Sequence, residues 1–200
     1  PSAAERTHEN EFDEGPRRIR GAVYRNRRRG GLLHPTRSPQ ASAKEDPAKR
    51  GAYLVSMAGC HDCHSPKLFT AAGPVPDTTR LLSGHPASDK LPDIPRNVVG
   101  PGKWGALTSG DFTAWVGPWG VSFTANLTPD VTGLGAWNDS IFIQTIRNGK
   151  HMGTGRDILP PMPWPVYAHM TDDDLRAVFA YLRTLKPIQN VVLAPVPPKG

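Results

Sequence analysis

The chain has 200 residues, with 22 prolines, 20 glycines and a formal net charge of +6. This length suits one domain with an arm, and the sequence lacks the run of about eighteen apolar residues that a transmembrane helix requires. Basic residues outnumber acidic ones by 12 to 7 in residues 1–50 but only by 12 to 11 in residues 51–200. We therefore expect no transmembrane segment in this chain, and the net charge says little about its folded part.

Residues 1–46 form a basic arm. Its low hydrophobicity and clustered charges predict disorder. The stretch "RRIRGAVYRNRRRGG" (17–31) has the composition of a nucleic-acid patch, but no aromatic interleaving or recognised nucleic-acid fold supports that function. We therefore expect no nucleic-acid partner.

A helix is predicted to follow the arm. The stretch "AKRGAYLVSMAGCHDCH" (48–64) places apolar side chains on one face, namely Ala52, Val55 and either Ala58 or Met57. Gly51 is unfavourable inside a helix, and a close crossing with another helix would explain it.

This helix leads into "MAGCHDCHSPK" (57–67), which holds both cysteines of the chain. A redox dithiol is one interpretation, but no βαβ pattern surrounds the motif. A structural zinc site needs four ligands, and the chain has no second cysteine pair. Cys-x-x-Cys-His is the signature of covalent haem attachment, in which Cys60 and Cys63 bond the porphyrin and His64 is carried under the iron. His61 lies between the attachment points and is expected to turn away.

Residues 65–125 contain eight prolines and eight glycines and show little periodicity. A structureless stretch of this length needs a task, and wrapping the edge of a haem is one. Two short β-favouring runs flank the turn-forming residues Gly117 to Gly120, around Phe112 to Val116 and Val121 to Thr124. They predict a small hairpin.

Two further helices are predicted near the C-terminus. In residues 137–151, Asn138 can cap the helix and Gly149 can end it. Thr171 caps the last helix, whose apolar stripe comprises Leu175, Val178, Phe179, Leu182 and Leu185, and Pro187 is predicted to end it. The aspartates at 172–174 suit the first turn of a helix, so we expect no metal site there.

With these elements the chain resembles a bacterial class I cytochrome c, and more narrowly the cytochrome c subunits that accept electrons from periplasmic dehydrogenases. The residues that carry the resemblance are "GCHDCH" (59–64), "NLTPDVTGLGAWNDSIFIQTIRNGKH" (126–151) and "ILPPMPWPVYAHMTDDDLRAVFAYLRTL" (158–185). It covers residues 47–190, which we expect to form the cytochrome c domain between the arm and a C-terminal tail at 191–200.

The resemblance implies an all-α cytochrome c fold, in which the helix before the haem motif crosses the last helix. The Pro/Gly-rich insertion with its hairpin would interrupt this fold. With one Cys-x-x-Cys-His motif, the chain would carry one covalent haem c, with His64 as the proximal iron ligand and a methionine as the distal one. Such a protein transfers electrons and is not an enzyme. It would relay them from a donor dehydrogenase to an acceptor oxidase or cytochrome.

Covalent haem attachment normally takes place outside the cytoplasmic membrane. We therefore expect a periplasmic or exported protein, associated with the membrane only through a partner. Two other functions stay open at this point. One is a haem enzyme or gas sensor with an open or displaceable distal site, for which His85, His151 or His169 could supply a polar group. The other is a structural subunit that docks a larger dehydrogenase.

Four methionines could provide the distal ligand, and Met162 is the one we predict. It sits in "LPPMPWP", where prolines on both sides restrict the backbone, so little entropy is lost in holding the sulfur. The resemblance places the distal methionine in the same motif. Met57 adjoins the cysteine motif on the proximal side, Met152 adjoins flexible glycines, and Met170 occupies the hydrophobic-staple position of the last helix.

Overall fold

The computed structural model describes residues 46–198, so the predicted arm lies outside the described residues except for Asp46. The described residues form five α-helices: α1 (Pro47–Met57), α2 (Cys60–His64), α3 (Asp139–Asn148), α4 (Trp164–Tyr167) and α5 (Asp172–Leu182). They also form five strands: β1 (Lys67–Thr70), β2 (Gly73–Pro76), β3 (Leu107–Thr108), β4 (Ala114–Gly117) and β5 (Gly120–Phe123). A single 3₁₀ turn spans His151–Gly153.

The prediction of an all-α fold is wrong. Strands β1 and β2 form one antiparallel sheet, and β3, β4 and β5 form a second in that order. Prolines and glycines disfavour helix between α2 and α3, and short extended segments pair there instead. The pair β4–β5 is the hairpin expected around Gly117 to Gly120, with Ala114 opposite Phe123.

Helices α1 and α5 cross at Gly51. A Cβ atom on this buried residue would lie 1.9 Å from the carbonyl oxygen of Ala177 and 2.8 Å from the Cβ of Tyr181. Only a glycine allows the two backbones to come so close, which is the close crossing expected for this position. Beside it, Arg50 Nε lies 3.0 Å from a carboxylate oxygen of Asp174 and joins the same two helices.

The helix ends follow local chemistry. The Asn138 side chain accepts the Ile141 N–H at 2.9 Å, and Gly149 ends α3 in the left-handed conformation at φ 63°. Thr171 accepts the Asp174 N–H at 3.1 Å. The helix predicted over 48–64 is divided, because Gly59 adopts φ 66° between α1 and α2. Helix α5 ends at Leu182, before the predicted stop at Pro187.

The hydrophobic core lies between α1, α3 and α5. Its buried members from these helices are Val55, Phe142, Ile146, Leu175, Val178, Phe179 and Leu182, and Leu82 and Leu134 join them from the region between α2 and α3. The rings of Phe142 and Phe179 have centroids 5.4 Å apart. Among residues 46–198, no helix has both the length and the apolar character needed to cross a membrane.

Candidate haem-binding site

A large cavity opens beside this core. Its volume of about 830 Å³ lies in the upper part of the range of roughly 300–1,000 Å³ that is usual for ligand pockets. Cys60, Cys63, His64 and Met162 all line it. The structure therefore brings together, on one cavity, the four residues that the sequence predicted to hold a haem.

The two cysteines lie three residues apart on α2. Both are free thiols, so they form no disulfide with each other. Burial is the main cause that raises the pKa of the Cys60 thiol to about 11, and burial also raises the pKa of Cys63, with Asp62 adding to the effect. A redox-active dithiol has a lowered thiol pKa, so these surroundings do not favour that interpretation.

His64 is buried at the end of α2, and its ring is held in one orientation. Its Nδ1 lies 2.8 Å from the carbonyl oxygen of Ala125, which can only accept a hydrogen bond. Nδ1 must therefore carry the proton, and the lone pair of Nε2 is left for a metal. Burial lowers the pKa of His64 and keeps the ring neutral, as a metal ligand must be. These residues fit a covalently attached haem.

The backbone around His64 is fixed as well. Its carbonyl accepts the Gly84 N–H at 2.8 Å, which ties α2 to the loop after β2. His61 is turned elsewhere: its Nδ1 lies 3.0 Å from the hydroxyl of Ser65, and it does not contribute to the described cavity wall. Of these two histidines, His64 is the one that lines the described cavity.

Two of the four methionines line the described cavity. Met57 and Met152 are 68% and 41% exposed, and neither contributes to the cavity wall within residues 46–198. Met162 and Met170 both line the cavity and pack against the core. The backbone carbonyl of Met170 accepts a hydrogen bond from Arg147 at 2.8 Å.

The segment that carries Met162 is anchored after the methionine. The indole of Trp164 lies so close to Gly149 that a Cβ atom there would be 2.3 Å from the ring. The hydroxyl of Tyr167 donates to the carbonyl of Ala58 at 2.6 Å, just before the cysteine motif. The two sides of the cavity are therefore linked directly.

Sequence reasoning missed the residues that support His64. Asn126 is buried, and its side-chain oxygen accepts both the N–H and the hydroxyl of Thr128, while its amide nitrogen donates to the carbonyl of Ile188. This fixes the turn that presents the adjacent Ala125 carbonyl to His64. The spacing Asn-x-Thr, typical of a side-chain-closed turn, was the available signal.

The predicted C-terminal tail also contributes to the site. The residues from it that line the cavity are Val191, Val192, Leu193, Ala194 and Pro195. Val196 is joined to Val121 of β5 by two backbone hydrogen bonds, of 2.8 and 2.9 Å. The apolar, β-favouring stretch "VVLAPVP" was the signal for this contact.

Comparison with known proteins places these features in a family. The family model described as cytochrome c matches residues 48–186. The quinone alcohol dehydrogenase cytochrome c subunit of Gluconobacter oxydans (strain 621H) is 34% identical over 148 residues, covering 73% of this chain. The fructose dehydrogenase cytochrome subunit of Gluconobacter japonicus is 27% identical over 156 residues, 77% of this chain. The gluconate 2-dehydrogenase cytochrome c subunit of Pantoea cypripedii is 28% identical over 134 residues, 66% of this chain.

These relatives are much longer than the matched region. The aligned residues cover 23%, 24% and 22% of the alcohol, fructose and gluconate dehydrogenase subunits, respectively. The chain thus spans about a quarter of the length of each.

Proposed function

This chain belongs to the cytochrome c family, and on that premise we propose that it is a one-electron carrier with a single covalent haem c. Cys60 and Cys63 would form the thioether bonds, and His64 and Met162 would be the axial iron ligands. The observation that carries the proposal is the meeting of these four side chains on one cavity, with the Nε2 lone pair of His64 left free by its bond to Ala125.

The surrounding residues suit electron transfer. The bound haem would supply the iron that changes between the ferric and ferrous states. The thioether sulfur of a methionine ligand would favour the ferrous form. Ala125 holds the His64 ring in place, and the mainly apolar wall of the cavity excludes water. If His64 and Met162 both bound the iron, they would leave no coordination position open to oxygen or substrate.

The names of the relatives support a dehydrogenase as a partner. Proteins similar to this chain are named as cytochrome subunits of alcohol, fructose and gluconate dehydrogenases. We infer that a dehydrogenase is the electron donor here and that an oxidase or another cytochrome is the acceptor. The chain itself is then an electron-transfer protein and not an enzyme. Covalent haem attachment supports a periplasmic or exported location.

A haem enzyme or gas sensor is the second candidate, and one observation favours it. His151 lines the cavity, where its ring forms a T-shaped pair with the Trp137 ring, with centroids 5.4 Å apart. A polar ring there could stabilise a small ligand if Met162 left the iron readily. Carbon monoxide added to the reduced protein distinguishes the two: immediate binding supports the sensor, and slow or absent binding supports the carrier.

Two measurements test the carrier proposal. Acid–acetone extraction with mass spectrometry should leave haem attached to the wild-type protein, and haem released into the solvent would contradict attachment at Cys60 and Cys63.

Met162→Ala should remove the weak long-wavelength band expected of ferric Met–haem ligation and lower the midpoint potential. Met170→Ala is the matched control from the same cavity wall and should keep the band. The reverse result would make Met170 the ligand.

A further inference from the structure

The segment before Met162 has few means of holding itself in place. Pro160 and Pro161 have no backbone N–H, so among the three residues before Met162 only Leu159 can donate a backbone hydrogen bond. Bonds from other parts of the chain therefore help to hold the segment. One such bond reaches it from the hairpin, where the hydroxyl of Ser122 lies 2.6 Å from the carbonyl oxygen of Pro160.

The geometry fixes the direction of this bond. A carbonyl oxygen can only accept, so Ser122 donates its single hydroxyl proton to Pro160. The Ser122 oxygen in turn accepts the indole N–H of Trp119 at 3.2 Å. The Trp119 ring lies over Gly117, where a Cβ atom would be 2.3 Å from it. The hydroxyl is therefore oriented by a side chain that is itself fixed.

The strand that carries Ser122 is a firm support. On one edge β5 pairs with β4, with Ser122 opposite Trp115. On the other edge Val121, next to Ser122, is bonded to Val196. Ser122 is only 7% exposed and lines the cavity. A residue on a strand braced from both edges can hold the proline-rich segment against thermal motion.

We propose that Ser122 is a positioning residue for the distal ligand, which holds Met162 at the iron through its bond to the Pro160 carbonyl two residues earlier. This inference rests on the proposed role of Met162. Without the hydroxyl, the segment before Met162 loses a fixed contact, and molecules in which the sulfur has left the iron become more frequent. One hydrogen bond changes such an equilibrium by about two- to tenfold.

The experiment uses the haem-loaded protein and carbon monoxide, which binds the ferrous iron only after Met162 has left. Ser122→Ala should speed carbon monoxide binding by about two- to tenfold and weaken the ferric long-wavelength band. Ser122→Thr keeps the hydroxyl and should behave like the wild type. Ser83→Ala is the matched control, because Ser83 is 2% exposed and donates to the Arg80 carbonyl at 2.9 Å without lining the described cavity.

The outcomes separate this inference from the ligand assignment. Fast binding in Ser122→Ala, with wild-type rates in Ser122→Thr and Ser83→Ala, supports the positioning role. A wild-type rate in Ser122→Ala, or equal rates in the alanine and threonine variants, overturns it. Met162→Ala is measured alongside: if that variant also keeps the band and the slow binding, the proposed ligand itself is wrong. If Met162→Ala binds fast and Ser122→Ala does not, only the positioning role fails.

Discussion

Two regions of the molecule are stabilised by different means. The helical frame, defined as α1, α3 and α5, buries a continuous set of apolar side chains and closes its ends with local caps. The intervening region, residues 65–138, contributes only Leu82 and Leu134 to that cluster. Its buried side chains are largely polar, among them Asp77, His85, Thr113, Ser122 and Asn126.

The intervening region is ordered by one repeated turn. In four places the side-chain oxygens of an Asp or Asn accept both the N–H and the hydroxyl of a Thr two residues later. The four pairs are Asp77 with Thr79, Asp111 with Thr113, Asn126 with Thr128 and Asp130 with Thr132. A region with little apolar surface to bury can still adopt one structure when its polar groups satisfy each other. We therefore expect close packing to govern the stability of the helical frame, and hydrogen bonding to govern the stability of the intervening region.

The largest expected effect is in the frame. Gly51→Ala should lower the free energy of unfolding by about 3–5 kcal/mol, because the new Cβ would lie 1.9 Å from the Ala177 carbonyl oxygen. Helix propensity alone predicts the opposite sign, a gain of about 1 kcal/mol. Denaturant unfolding of the haem-loaded protein measures the change, so its sign decides between the two effects.

Gly105→Ala is the matched control in the intervening region. Among residues 46–198, no heavy atom outside Gly105 and its two chain neighbours lies within 4 Å of the position that its Cβ would take. The change in unfolding free energy should stay within about 0.5 kcal/mol. If both substitutions proved equally mild, the close crossing of α1 and α5 would not limit stability.

The frame could be predicted because its signals are local. Asn138, Gly149 and Thr171 act at helix ends that the sequence identified, and the stripe from Leu175 to Leu182 is the buried face of α5. The two sheets could not be predicted as a whole, since β1, β2 and β3 have no alternating pattern, and β1 and β2 pair across Ala71 and Ala72, which are not typical turn residues. Only the hairpin β4–β5 had a recognisable turn.

The residues of the candidate site also differ in whether a local sequence pattern predicts them. Cys60, Cys63 and His64 belong to one contiguous motif, so their meeting on a cavity follows from the spacing. Ala125 contributes through its backbone carbonyl, and a backbone group leaves no mark on residue identity. Ser122 contacts a residue 38 positions away, which no local pattern encodes. Long-range contacts of this kind need the fold.

An asparagine side chain accepts hydrogen bonds in each of the two regions, so the same substitution can be compared in both. Asn126→Ala should cost about 3 kcal/mol, because it leaves the Thr128 N–H without its acceptor and removes the amide N–H that donates to the Ile188 carbonyl. Asn138→Ala removes an exposed helix cap and should cost about 1 kcal/mol. Denaturant unfolding of both variants under one condition measures the ratio. A larger loss for Asn138→Ala would contradict the view that hydrogen bonds dominate between α2 and α3.

The smallest expected effect is a pH dependence at the first of the four turns. Hydrogen bonds from Thr79, with further help from Arg80, lower the pKa of the Asp77 carboxyl to about 2. An unfolded chain binds this proton at about pH 4, so the carboxylate stabilises the fold above that pH. The contribution is lost as the pH falls from about 4 towards about 2. Asp77→Asn should therefore be less stable than the wild type near neutral pH, with the difference narrowing in acid.

Asp130→Asn separates the turn from the ion pair. In the described part of the chain, Asp130 makes the same bonds to Thr132, which lower its pKa, but it has no counterpart to the 2.9 Å pair between Arg80 and Asp77. The difference in stability between Asp130→Asn and the wild type should therefore also narrow in acid, but by less than for Asp77→Asn. Protonation of Asp130 weakens only the turn bonds, because this residue has no such ion pair to lose. Thermal unfolding of both variants and the wild type from pH 2 to pH 7 measures the two differences. A constant difference across this range for Asp77→Asn would show that the neutral amide replaces the carboxylate fully, and that the turn is held by its geometry without any contribution from charge.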